Sequence, residues 1–277
     1  MAAAPQGRLT EAERGSLVVV GTGIRTGTQL TPETQAALRA ADDVFYLVTD
    51  PMAAAWFERL VPHARSLLGL YDVGKNRGET YAEMVETILE PVRRGHKVCA
   101  AFYGHPGVFV LPSHEAVARA RAEGLEARML PAVSAEDCLF AELGVDPASR
   151  GCLSYEATDL LIHSRTIDPS AYLVLWQIAW LGNVRYSPTP SREHLPLLVE
   201  YLERHYPPEH EVILYEASPY PVGPGQIRRL RLADLPAAEP SPMSTLCVPP
   251  GQPSAPDPRM LERLGLPTRR EGVSGSA

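Results

Sequence analysis

An arginine stands between two tyrosines in Tyr71-Asp72-Val73-Gly74-Lys75-Asn76-Arg77-Gly78-Glu79-Thr80-Tyr81, a polar loop punctuated by glycine that leads into a helix. Two phenols and a guanidinium this close could serve one site. Spacing alone favours a plainer reading, because Tyr81 opens an apolar helical stripe and Arg77 would also suit a solvated loop. Three further stretches can meet a ligand. Gly21-Thr22-Gly23, with Gly27 beyond, follows an apolar run and reads as a strand-to-helix turn. Such a turn lets backbone approach a ligand and points helix N–H groups at it. It serves equally as a tight turn with no ligand. Asp50, at the end of the next strand, could hold a ribose in a dinucleotide site, but it sits late and the third glycine is misplaced. Asp50 reads better as a helix cap. Phe102-Tyr103-Gly104-His105-Pro106-Gly107-Val108-Phe109 offers a shaped backbone and flat apolar faces at a strand's carboxyl end, where open α/β sheets bind ligands. His105 taken alone is as readily a structural histidine. In Met129-Leu130-Pro131-Ala132-Val133-Ser134-Ala135-Glu136-Asp137-Cys138 a strand ends at proline and Ser134 is placed to cap a helix, either as a plain hinge or in a cleft between domains.

The elements that must carry these residues alternate. Residues 17–20 form a continuous apolar run, as in a strand buried on both faces. Helices are expected over about 32–41, with Thr31 as cap and Pro32 in the first position, from Asp50-Pro51, and over 80–93, 112–123 and 134–143. Strands are expected at 44–48, 97–103 and 126–130, and this strand–helix repetition argues for an open parallel sheet. After residue 131 the pattern loosens. Strands are expected at 152–155, 172–176, 211–215 and 244–248 with a helix at 193–205. The reading is two α/β domains, 15–131 and 132–267, with a ligand cleft between them, and disordered tails at 1–14 and 268–277.

Composition narrows the function. A formal charge of −7 on 277 residues gives no sign of a basic stripe for nucleic acid. No apolar run approaches the length of a membrane span, and the amino terminus lacks the layout of a secretory signal. Cys99, Cys138, Cys152 and Cys247 are scattered, without metal-ligand spacing. A cytoplasmic protein with reduced thiols and no metal is expected. Of 26 basic residues only Lys75 and Lys97 are lysine, which fits a GC-rich genome. The 27 prolines cluster in the second half and predict proline-shaped loops there.

Together the four stretches resemble the tetrapyrrole-methylase superfamily of S-adenosylmethionine-dependent methyltransferases. Within it they are most similar to the borosin peptide backbone α-N-methyltransferases, whose fungal members make the omphalotin precursor. The similarity runs from about residue 15 to 266 and is carried above all by residues 16–24, 40–51, 71–81, 102–114, 127–147, 151–158, 173–177 and 244–250. FYGHPGVF with MLPAVSAEDC is the most specific part. Ordinary tetrapyrrole methylases have an acidic turn where this chain has Gly104-His105-Pro106.

The resemblance implies the tetrapyrrole-methylase fold, with the cofactor between two α/β domains, and N-methylation of backbone amides in a ribosomally made peptide. It makes Tyr71, Arg77 and Tyr81 catalytic. Arg77 would polarise the amide oxygen, and the two tyrosines would share deprotonation and positioning, their acidity raised by the neighbouring cation. It also implies a cofactor pocket of Tyr103, His105, Val108, Phe109, Ser134, Ala135 and Gln177, with Gly21 and Gly23 in the approaching backbone. S-adenosylhomocysteine is the expected product. Two departures stand out. Leu68 replaces an aromatic residue that lines the relatives' substrate channel, and the sequence ends at Ala277 after a short polar stretch rather than in an apolar core peptide. The expectation is a split enzyme, a homodimer that acts in trans on a separate precursor, in a heterotetramer with it if one forms. Two alternatives remain: a small-molecule methyltransferase of the tetrapyrrole type, and a non-catalytic partner that binds cofactor or peptide.

Overall fold

The structure is a computed structural model that describes residues 15–267. The two expected tails, 1–14 and 268–277, lie outside the described residues. The first half runs β1 (Ser16–Gly21), α1 (Pro32–Ala40), β2 (Asp43–Leu47), α2 (Pro51–Leu60), β3 (Arg65–Ser66), α3 (Arg77–Arg93), β4 (Lys97–Phe102), α4 (Leu111–Ala122) and β5 (Glu126–Met129). The five strands form one sheet in the order β3-β2-β4-β1-β5, and every pairing is parallel. Helices cover both faces, which is why β1 is apolar without alternation. On one face Leu17, Val19, Ala100 and Phe102 pack with α3 and α4. On the other Val20, Cys99 and Ala101 pack with α1 and α2.

Local chemistry sets the helix starts. The side chain of Thr31 accepts from the Thr34 amide at 3.1 Å, and Asp50 accepts from the Ala53 amide at 2.8 Å. Each is followed by proline in the first turn. Helix α3 begins at Arg77 rather than near 80, because Asn76 accepts from the Gly78 amide at 2.8 Å and caps the extra turn. Met84, Val85, Ile88, Leu89 and Val92 anchor it, all fully buried. Each contributes about 1.5–3 kcal/mol by leaving water. The helix is therefore a firm base for Arg77 in its first position.

The second half runs α5 (Ala135–Leu143), α6 (Pro147–Arg150), β6 (Cys152–Glu156), α7 (Ala157–Ile162), β7 (Tyr172–Trp176), α8 (Leu195–Leu202), β8 (Glu211–Glu216), β9 (Gln226–Arg231), β10 (Thr245–Val248) and α9 (Pro258–Arg263). Its sheet, ordered β6-β7-β10-β8-β9, is mixed: β6 and β7 are parallel and the other pairings antiparallel. Edge strand β9 was not expected. Its sequence QIRRLR has no apolar alternation, and it is held by six-residue pairing with β8.

One face of this sheet packs on α7 and α8, and the other turns toward the first half. There Val174, Trp176, Ile213, Tyr215 and Cys247 pack with Ile24 and with Cys138 and Leu139 of α5. Polar contacts tie the same seam. Arg25 pairs with Glu142 at 2.8 Å, Glu142 also accepts from the Gly225 amide at 2.8 Å, and the Thr26 amide donates to the Pro219 carbonyl at 2.9 Å.

Candidate active site

In the first sheet the chain leaves β1 toward α1 on one face and leaves neighbouring β4 toward α4 on the other. Diverging connections open a crevice at the carboxyl ends of the two strands, the usual ligand position in such sheets. The glycine turn and the 103–109 loop both start there. Gly23 and Gly104 exchange backbone hydrogen bonds of 3.2 and 3.0 Å. At Gly21 a β-carbon would lie 2.1 Å from the Gly104 carbonyl oxygen, and Gly23 has φ +71°. The two glycines thus serve the close contact between loops.

Tyr103, Val108, Phe109, Ala135 and Gln177 line one cavity of about 310 Å³, together with Tyr71 and Tyr81. Arg77 lines an adjoining cavity of about 490 Å³ that shares Tyr81, Phe109 and Gln177. The other expected residues, Gly21, Gly23, His105 and Ser134, line neither. His105 Nδ1 accepts from the Gly107 amide at 2.9 Å and shapes the turn beneath Val108. Ser134 caps α5: its hydroxyl accepts from the Asp137 amide at 3.1 Å and donates to the Asp137 carboxylate at 2.7 Å.

Three non-glycine residues among those described have positive φ, and two of them, Phe109 and Gln177, both at 57°, sit on the shared wall. That conformation costs about 1–2 kcal/mol for an L-residue, and such strain concentrates where ligands bind. The hydroxyl of Tyr103 is buried with no hydrogen-bond partner among the described residues. Burial pushes this phenol up to about 12.

Arg77 is held without being neutralised. Its Nη1 donates to Gln177 Oε1 at 3.3 Å, and its guanidinium carbon lies 5.4 Å from the centre of the Trp180 ring. No ion pair among the described residues includes it. Tyr71 departs from expectation. Burial, and then the nearby Tyr81, drive its phenol well above the ordinary 10.0, while Arg77 pulls it down by less. Tyr71 therefore keeps its proton at neutral pH: the neighbouring cation only offsets part of the burial.

The loop that carries these residues docks on the second half of the chain. The Gly74 amide donates to the Tyr186 carbonyl at 2.9 Å, the Tyr186 amide to the Lys75 carbonyl at 2.9 Å, and the Arg77 amide to the Val184 carbonyl at 3.2 Å. The Tyr71 and Tyr186 rings lie 4.8 Å apart. Trp180, Tyr186 and Trp176, which lies 5.2 Å from Phe109, were not among the expected site residues. Trp176 lay in an expected strand and in a segment carrying the resemblance, while Trp180 and Tyr186 had only their aromatic character as a signal.

Residues 16–221 match the family described as Tetrapyrrole (Corrin/Porphyrin) Methylases. The chain belongs to this family. The structure of a uroporphyrin-III-C-methyltransferase from Thermus thermophilus superposes on this chain with a TM-score of 0.60, covering 93% of this chain and 99% of that one at 21% identity, which shows the fold. Similar fungal relatives are named as methyltransferases joined to cyclic peptide precursors. The type I borosin precursor of Serendipita vermifera subsp. bescii is 41% identical over 267 residues, covering 94% of this chain and 65% of the relative. The omphalotin A precursor of Omphalotus olearius is 45% identical over 213 residues, covering 76% and 51%. The chain thus spans less than two thirds of the length of these relatives.

Proposed function

We propose that this methylase transfers methyl groups to backbone amide nitrogens of a ribosomally made peptide supplied as a separate molecule, with S-adenosylmethionine as donor and S-adenosylhomocysteine as product. The observation that carries the reading is Arg77, a cation without a carboxylate partner among the described residues, lining a cavity that adjoins the one lined by Tyr71 and shares Tyr81 with it. The names of the fungal relatives support the peptide.

The smaller cavity fits the donor: Tyr103 brings a buried hydroxyl in need of a partner, and Tyr103, Phe109 and Trp176 bring aromatic faces. When bound, S-adenosylmethionine supplies an activated methyl group on a sulfonium, a cation that such faces favour. An amide nitrogen is a poor nucleophile because its lone pair is delocalised into the carbonyl. Arg77 donates hydrogen bonds to the carbonyl oxygen and stabilises the charge that gathers there as the N–H proton leaves. The phenolate form of a tyrosine, Tyr71 or Tyr81, accepts that proton and becomes the neutral phenol. The rim of the larger cavity carries exposed Phe109, Leu111, Ile162 and Val184, a surface suited to apolar peptide side chains.

Tandem mass spectrometry of the small peptide encoded beside the gene, co-expressed with the protein, tests the reading. Backbone fragments heavier by whole methyl groups are expected with the wild type and absent with Arg77→Ala. An unmethylated peptide beside protein that binds S-adenosylhomocysteine would overturn the peptide substrate. Methylation of the chain's own residues would overturn supply in trans.

A further inference from the structure

We propose that Trp180 is a positioning residue for Arg77, holding the guanidinium toward the substrate cavity by its ring face without cancelling its charge. The inference rests on the peptide reading above. Arginine has a long, flexible side chain, and a cation that must meet a developing oxyanion has to be held in place beforehand. The usual hold is a carboxylate, but a carboxylate would neutralise the charge and compete with the oxyanion. Here the holds are a neutral amide oxygen, Gln177 Oε1 at 3.3 Å, and the Trp180 ring, 5.4 Å away. A ring face attracts a guanidinium and keeps no proton or charge of its own.

Trp180 is itself well fixed. Its amide donates to the Gln177 carbonyl at 2.8 Å, its carbonyl accepts from the Asn183 amide at 2.9 Å, and its neighbours Ile178, Ala179 and Leu181 are buried. It lines neither of the two cavities that Arg77 and the tyrosines border. The ring thus meets Arg77 without forming the substrate wall. The same segment accepts the Arg77 amide at Val184, so one stretch of the second half fixes both the backbone and the head of this residue.

The test is steady-state methylation of the cognate peptide by Trp180→Ala and Trp180→Phe, with melting temperatures measured alongside. Trp180→Ala should lower kcat about tenfold, the order that loss of one partly desolvated cation–π contact implies. KM for the peptide and affinity for S-adenosylhomocysteine should stay within about twofold. Trp180→Phe, which keeps a ring face, should restore most of kcat. Wild-type kcat in Trp180→Ala, or a loss that Trp180→Phe does not repair, overturns the proposal.

A second measurement needs no turnover. The emission of wild type minus that of Trp180→Phe isolates the Trp180 signal, and Arg77→Ala should alter it. If no peptide is methylated and the emission responds, the peptide reading fails while the seating of Arg77 stands. An unresponsive emission overturns the seating whatever the activity.

Discussion

Arg77 and Tyr71 show how one environment treats a cation and a phenol differently. Arg77 has no ion-pair partner among the described residues, and burial holds the Tyr71 phenol in its protonated form. If Tyr71 is the proton acceptor, only its phenolate works, and that fraction grows with pH. Because its pKa lies above the ordinary 10.0, kcat should climb from about pH 7 through about pH 10 without levelling. Tyr71→Phe should remove the slope, and a flat wild-type profile assigns the proton to another group. Ser134 gives a second prediction at this scale. Its hydroxyl is engaged in capping α5, so Ser134→Ala should cost about 1 kcal/mol of stability in urea unfolding. Affinity for S-adenosylhomocysteine should change little. A large loss of that affinity with unchanged stability would return Ser134 to the cofactor.

Among elements, the parts set by local chemistry could be read in advance. Thr31, Asp50 and Ser134 cap their helices as their residue types require, because a cap involves only a few neighbouring residues. Tyr71, Tyr81, Tyr103, Phe109 and Gln177, which the resemblance named, line one cavity. The 178–186 segment could not be assigned to the site, since its bonds to residues 74–77 join positions about a hundred residues apart. Strand β9 escaped for a related reason, its stability coming from β8 rather than from its own pattern. The contact between the glycine turn and the 103–109 loop makes a sharp prediction. Gly21→Ala places a β-carbon against backbone and should destabilise by about 1–3 kcal/mol, as overpacking does. Gly69→Ala, which meets nothing within 4 Å, should leave the urea midpoint unchanged. Equal midpoints for the two variants would show that the loops yield.

Across the whole molecule, many weak acids are buried uncharged. Burial raises Cys99 from 9.0 and Tyr206 from 10.0 to about 12 each, and it is the main cause that puts Cys247 at about 12 as well. Unfolding exposes these groups and returns them toward their ordinary values. Below about pH 8 both states hold most of these protons and stability is little affected. As pH rises further the unfolded chain releases protons that the folded chain keeps, so stability falls up to about pH 12. The urea midpoint should accordingly drop between about pH 8 and about pH 10.5, and a constant midpoint would show that these groups titrate alike in the folded and unfolded chains. The docking of residues 74–77 on 184–186 has a consequence during synthesis. The strands of the first sheet are complete once residue 129 has been made, yet Arg77 gains its backing only when Trp180 and Val184 follow. A ribosome adding about 5–20 residues per second needs several seconds to cover that interval. Under the proposed function, a nascent chain without that backing would leave any peptide beside it on the polysome unmodified until its own translation is well advanced.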